Sequence, residues 1–362
     1  MPLLDIHVPC YNEEVALPRL IAALKRQTFK DFSVIFHDNG STDGTRAICA
    51  ATAAGDPRFN LNAIPFNTGR IPQYFRWRFG SRNDFVAVRS ANDLFSDDYY
   101  EKLISLLLSD DQIALAYSHG SIIDDADKVI EEPSLDFAID TRGMNRMEGA
   151  VQVMSRYTYP FSVWGVYRRT ALEKSSSHYY PYGLDHISIC EIALYGSIAN
   201  TAERLDMRRL DKKPKQHATD MAYYAETTSE EHSRGVPQNS FYIGLSHRLP
   251  FTNMLWGHLD MFSLALVPDA EKIVLCAAAR EIFAARFEQH IDREIGDFLA
   301  HMNNLLTLQE NQAGMFPREA ALFWLAKAKR EVDKIRLLRR PNREPLDELE
   351  IRIKTFECRV NA

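Results

Sequence analysis

Residues 32–45 read FSVIFHDNGSTDGT. The apolar run Phe32 to Phe36 predicts a strand. The stretch from Asp38 to Gly44 predicts a turn, and its Ser41 and Asp43 can cap a helix running from Thr45 to Ala54. The same alternation extends on both sides. Upstream, Leu3 to Val8 is a short apolar strand ending at Pro9, and Glu13 to Gln27 carries Val15, Leu17, Leu20, Ile21 and Leu24 at helical spacing. Downstream, Asn60 to Ile64 and Phe85 to Val88 read as third and fourth strands. Strand, helix, strand, helix at this spacing predicts right-handed βαβ units and an α/β fold with a mainly parallel sheet.

Ligands of such sheets sit beyond the carboxyl ends of the strands. The residues there are Tyr11, Asn12 and Glu13 after the first strand, Asp38 and Asn39 after the second, Asn67 and Gly69 after the third, and Asn92 and Asp93 after the fourth. All carry groups able to meet a nucleotide or a metal except Gly69, which gives the backbone room. Asp38 has two readings at this point: an acceptor for a nucleobase or ribose, or the anchor of an Asx turn.

The chain has 362 residues, long for one compact domain, so about two domains are expected. Hydrophobic residues at 46% and charged residues at 25% exclude collagen-like, disordered and disulfide-scaffold classes. A net charge of −6 gives no global attraction to nucleic acid. Cys10, Cys49, Cys190, Cys276 and Cys358 are dispersed and odd in number, the pattern of buried free thiols in a reducing compartment. The N-terminal apolar run is too short for a signal peptide, and no run approaches the roughly 20 residues of a membrane span. These features predict a cytoplasmic protein.

The segments VPCYNEE at 8–14, HDNGSTDGT at 37–45 and NTG at 67–69 resemble the opening motifs of family 2 glycosyltransferases. The likeness continues through VRSANDLFSDDYYEKL at 88–103, VWGVYRRTAL at 163–172 and GLDHISICEIALYG at 183–196, covering roughly residues 3–215 in the family's order. The resemblance implies a GT-A fold and inverting transfer of a sugar from a nucleoside-diphosphate sugar, a UDP-sugar foremost, to a glycan or glycolipid hydroxyl in surface polysaccharide or glycoconjugate assembly. Pro9, Tyr11, Asn12 and Glu13 would line the nucleotide pocket. Asp38 would hold the base or ribose, with Asn67 and Arg70 beside it.

By the same resemblance, Asn92-Asp93 stands in the family's acidic motif, whose carboxylates bind Mg²⁺ or Mn²⁺ at the donor's phosphates. This chain departs from that motif, because Ser90 and Asn92 occupy the places of the usual first acids. Arg208-Arg209-Leu210-Asp211 falls where relatives read Arg-Arg-Leu-His, so Asp211 replaces a histidine and would join Asp93 and Asn92 as a metal ligand. Arg208 would contact the diphosphate. Asp185 matches the catalytic base, with a helix N-cap as its alternative role. Trp164, Gly165 and His186 would belong to the sugar or acceptor surface.

The character changes near residue 217, which divides a nucleotide-sugar domain at 1–217 from a helical domain at 218–362 serving acceptor binding or oligomerisation. Thr227 to Gln238 reads as a loop. Phe283, Phe287, Ile291, Ile295, Phe298, Met302 and Leu305 form one apolar helix face; Ala321, Leu325, Ala328, Val332 and Ile335 form another after Pro317. The basic stretch from Arg330 to Arg343 suits an anionic lipid surface at the inner face of the membrane, or the solvent face of helices that pair two copies of the chain. The substitutions in the acidic motif also keep open a silent nucleotide-sugar or glycan-binding protein.

Overall fold

The computed structural model describes residues 2–68, 76–78, 80–176, 183–209, 249–311, 318–337 and 344–361. They include β1 (Leu4–Cys10), α1 (Leu17–Arg26), β2 (Phe32–Asn39), α2 (Thr45–Gly55), β3 (Phe59–Ile64), β4 (Phe85–Val88) and β5 (Leu94–Phe95). Next come α3 (Tyr99–Ser109), β6 (Ile113–Ile123), β7 (Val129–Glu131), α4 (Arg146–Arg156), β8 (Val166–Arg168), α5 (Arg169–Lys174), α6 (Leu184–Ile192) and β9 (Ser197–Arg209). One sheet runs β3-β2-β1-β4-β8-β6-β9-β5, with β7 paired to β6. β1 to β4 are parallel neighbours, as expected, and β8 joins antiparallel to both β4 and β6. The sheet is therefore mixed and mainly parallel.

β1 does not stop at Pro9. It continues to Cys10, with Pro9 opposite His37 and Cys10 opposite Asp38. Proline is tolerated because β4 pairs with β1 only as far as His7, so the missing N–H costs no ladder bond on that side. Helix α1 begins at Leu17 rather than Glu13, and Val15 is exposed instead of sharing its buried face. The reason lies in the preceding turn: the Glu13 N–H donates to Thr45 Oγ1 at 2.7 Å and the Glu14 N–H to Asp43 Oδ2 at 3.2 Å. Pro18 sits in the first helical turn, where no N–H is required. Leu17, Leu20, Ile21, Ala23 and Leu24 then pack on Val8, Val34 and Phe36 in the main core. Each buried leucine or phenylalanine contributes about 1.5–3 kcal/mol.

The chain divides into two compact units, one of Met1–Tyr179, Leu184–Pro214 and Met261–Leu275, the other of Tyr180–Gly183, Lys215–Asp260 and Cys276–Ala362. The boundary expected near residue 217 and the loop at 227–238 lie outside the described residues. The remaining helices are α7 (Pro250–Leu264), α8 (Asp269–Asn311), α9 (Arg318–Leu337) and α10 (Glu344–Asn361). In the second unit Phe298, Met302 and Leu305 of α8 meet Leu325, Ala328 and Val332 of α9 and Leu349 and Ile353 of α10 in a separate core. Both predicted apolar faces are thus used. The basic run is partly spent within this unit, since Arg336 pairs with Asp347 and Glu350, and Lys334 with Glu331.

Among the described residues no helix is long and apolar enough to cross a membrane. Cys10, Cys49 and Cys190 are buried free thiols as expected, but Cys276 is half-buried and Cys358 exposed.

Candidate active site

The loops after β1, β2 and β3 are tied together by hydrogen bonds, some between neutral groups and some accepted by carboxylates. The Asn12 N–H donates to Ser41 Oγ at 3.1 Å, and Asn12 Oδ1 accepts the Thr42 N–H at 2.9 Å. Asn12 is left-handed, with φ 56°, a conformation an Asn tolerates better than most residues. Glu14 Oε2 accepts the Gly44 N–H at 2.7 Å, and Asp43 Oδ1 accepts the Thr45 N–H at 3.0 Å at the start of α2. Asp43 thus takes up the Thr45 N–H from just outside the helix, whose N-cap position, Gly44, has no side-chain cap, while Ser41 is drawn to Asn12.

The third loop joins through Asn39. Its Nδ2 donates to Asn67 Oδ1 at 2.8 Å and its Oδ1 accepts the Thr68 N–H at 3.1 Å. Gly40 allows this approach: its φ is 77°, and a Cβ there would collide with the Phe66 carbonyl carbon. Tyr11, Asn12, Glu13, Asp38 and Asn67 are thereby gathered at one end of the sheet, with Pro9 entering from β1. Arg70 lies outside the described residues.

Asp38 shows both of its readings. Its Oδ1 accepts the Ser41 N–H at 3.1 Å, an Asx turn, and its Oδ2 accepts Arg46 Nε at 2.6 Å. Asp38 is fully buried, whereas the Arg46 side chain is 43% exposed. Arg46 is a residue that strand-end reading passes over, because it sits in the first turn of α2.

A second group of side chains forms around Arg208, near the end of β9. Arg208 Nε lies 3.8 Å from Asp93 Oδ2, and the Arg208 guanidinium stands 5.5 Å from the centre of the Trp164 ring. Asp93 Oδ1 accepts the Arg209 N–H at 2.9 Å. Behind Asp93, Arg89 and Asp206 form a fully buried ion pair, with the Arg89 guanidinium 4.3 Å from the Phe95 ring centre and 5.0 Å from that of Tyr99. Burial and the neighbouring Asp206 charge push the Asp93 carboxyl above its usual range, against the pull of Arg89 and Arg208.

Asp185 lies in the first turn of α6 with its side chain accessible. Desolvation by surrounding protein nevertheless raises its pKa, and the Arg208 charge pulls it down. Asp185 thus presents its carboxyl to solvent, near enough to Arg208 to feel its charge. His186 is buried beside Tyr157, their rings edge to face at 5.2 Å. Trp164 ends a short helical turn, Pro160–Trp164, and its carbonyl accepts the Tyr99 hydroxyl at 3.0 Å. Gly165 is needed where that turn crosses β6, because a Cβ would sit 2.5 Å from the Ala116 carbonyl oxygen. Gly165 thus packs the scaffold, and Trp164 faces Arg208.

Residues 5–174 match the family Glycosyl transferase family 2. Over that segment the chain is similar to that family. An uncharacterized glycosyltransferase of Haemophilus influenzae is 28% identical over 121 residues, which cover 33% of this chain and 47% of the relative. The succinoglycan biosynthesis protein ExoA of Rhizobium meliloti is 32% identical over 102 residues, 27% of this chain and 31% of that protein. This chain therefore spans less than half the length of either. The crystal structure of S. aureus TarS 1-349 in complex with UDP-GlcNAc superposes with a TM-score of 0.51 at 14% identity, covering 98% of this chain and 91% of that one. The fold is GT-A.

The Mg²⁺ or Mn²⁺ implied for family 2 finds a poor set of donors among the described residues. Asp93 is their one carboxylate in the acidic motif; it is 3% exposed and already engaged by Arg208 and Arg209. Asn92 is exposed, and Ser90 Oγ accepts its N–H at 3.2 Å. Asp206 is closed off by Arg89. No group of three His, Cys, Asp or Glu suited to a metal occurs among the described residues, and Asp211 lies outside them. These residues do not fit a carboxylate-bound cation, and no chemical step is assigned to one below.

Proposed function

We propose that this chain is an inverting glycosyltransferase that moves a sugar from a nucleoside-diphosphate sugar, a UDP-sugar foremost, to a hydroxyl of a glycan or glycolipid acceptor. The observation that carries the reading is the grouping of Asp185, Arg208 and Trp164 in the unit that also holds the braced loops at Tyr11, Asn12 and Asp38. The base and ribose would bind among those loops, with Arg46 at their rim. The diphosphate would lie against Arg208, with Asn92 beside it.

In the transfer, the acceptor oxygen bonds to the anomeric carbon as that carbon's bond to the phosphate oxygen breaks. The bonding pair leaves on the diphosphate, and the acceptor proton passes to the Asp185 carboxylate. Attack opposite the leaving group inverts the anomeric centre. His186 and Trp164 would shape the acceptor side. The likeness to ExoA, a succinoglycan biosynthesis protein, supports a role in polysaccharide assembly, and residues 218–362 would serve acceptor selection or pairing of two copies.

The test is release of nucleoside diphosphate from a panel of UDP- and GDP-sugars by the purified chain. Asp185→Asn should lower turnover by about 10²-fold or more while leaving UDP affinity unchanged. Failure to turn over any donor that binds would instead identify a silent nucleotide-sugar-binding protein.

A further inference from the structure

Family 2 enzymes are expected to meet the departing diphosphate with a divalent cation, yet at this place the chain offers a guanidinium. We infer that Arg208 takes the cation's role as the counter-charge of the leaving diphosphate, so that donor binding and transfer proceed without a divalent metal. This rests on the nucleotide-sugar reading above.

Three observations carry it. First, of the pair Asp93 and Arg208, the arginine side chain is 24% exposed and the carboxylate 5%, so an incoming anion meets the positive member. Second, the carboxylates in this region are already matched: Arg89 closes Asp206, while Arg208 and the Arg209 N–H face Asp93. The charges of Arg89, Asp206, Asp93 and Arg208 cancel. A divalent cation added there would face two guanidinium groups, whereas an added anion faces an accessible one. Third, the Trp164 ring lies against the Arg208 guanidinium at 5.5 Å. That contact holds the cation in place before the substrate arrives, and a preorganised charge stabilises a developing anion without reorganisation at the moment of reaction. Arg208 also presents the planar donor array that suits phosphate oxygens.

When the anomeric C–O bond breaks, the diphosphate gains one negative charge. Arg208 is placed to receive it, and the acceptor proton goes separately to Asp185.

Calorimetric titration of UDP into the full chain, in excess EDTA and again with Mn²⁺, tests the inference alongside Arg208→Met and Arg208→Lys. The expected result is the same UDP affinity with EDTA as with Mn²⁺. Arg208→Met should weaken UDP binding about 10- to 100-fold with uridine binding unchanged, and Arg208→Lys should weaken it less. A wild-type affinity that falls tenfold or more in EDTA and returns with Mn²⁺ overturns the inference and leaves the nucleotide-sugar reading standing. UDP binding that ignores Arg208→Met also overturns it. Absence of UDP and GDP binding under both conditions overturns both readings. Should Arg208→Met melt below the wild type, the EDTA comparison and Arg208→Lys decide the question.

Discussion

His7 of β1 and His37 of β2 are buried side by side, Nδ1 of one 2.8 Å from Nε2 of the other, with rings nearly parallel. Their outer nitrogens, His7 Nε2 and His37 Nδ1, have no hydrogen-bond partner among the described residues. A proton added to either ring would place a charge in the core against a second imidazole. Burial therefore lowers His7 to about 4, against the pull of Asp5, and lowers His37 to about 3, helped by His7 and Arg76. In the unfolded chain both titrate near 6.5.

The sign follows directly. A base whose folded pKa lies below its unfolded value stabilises the fold above the unfolded pKa, and that stability is lost as pH falls. At about pH 5 the unfolded state gains roughly 2 kcal/mol per histidine by binding a proton the folded state refuses, so the pair costs about 4 kcal/mol relative to about pH 8. His37→Gln keeps a polar partner for His7 and removes one titrating ring, so about half of that loss should vanish. Urea unfolding of wild type and variant at the two pH values measures the difference. Equal losses in the two proteins would refute the reasoning, whatever the variant's stability at high pH.

Three further outcomes are expected. Arg208 pulls the Asp185 pKa down, so Arg208→Met should move the acid limb of donor turnover to higher pH; an unmoved limb would separate Arg208 from the base. Asp206→Asn leaves Arg89 buried without its counter-ion and should cost about 3–5 kcal/mol in thermal unfolding, whereas replacing both Arg89 and Asp206 by apolar residues of similar size should recover most of that loss. In the helical unit, burial lifts Glu294 to about 7 although it accepts the Phe251 N–H at 2.9 Å and the Thr252 N–H at 3.2 Å. Its stabilisation is therefore present below the unfolded pKa of 4.5 and lost as pH rises through about 7, about 3 kcal/mol in all, so Glu294→Gln should be less sensitive to that rise in a pH series of melting curves.

The first four strands were legible because each is an apolar run followed by its own turn residues, and the parallel order follows from the helices between them. Strands β6 and β9 were not. β6 is buried along its whole length yet carries Ser118, His119, Gly120 and Ser121 at its middle, which breaks the apolar run. β9 holds Glu203, Arg204, Asp206, Arg208 and Arg209, a composition that reads as surface. Its charges can enter a sheet because Arg89, 117 residues earlier, matches Asp206. Pattern reading within a short window registers a charge but not a partner so far away. The start of α1 was misplaced for a related reason: Glu13 and Glu14 have helical spacing to Leu17 and Leu20, but their N–H groups are claimed by Thr45 and Asp43 of the next loop.

The same distinction separates the two halves of the candidate site. Around the loops after β1, β2 and β3 the bracing is made of hydrogen bonds between residues about thirty positions apart, the length of one βαβ step, so sequence order alone brings Asn12 to Ser41 and Asn39 to Asn67. Around Arg208 the bracing is electrostatic and joins β9 to Arg89 and Asp93 after β4 and to Trp164, and no single spacing encodes it. That second half ties two chemical requirements to one side chain. Arg208 is the partly exposed cation beside Asp93, and its charge also offsets part of the desolvation of Asp185. An anionic diphosphate seated on Arg208 would neutralise part of that charge and let the Asp185 pKa rise, making the carboxylate a stronger base when a donor is in place. On this reasoning the carboxylate, already raised by desolvation, becomes a stronger base still on donor binding, which would couple proton removal from the acceptor to the presence of a leaving group.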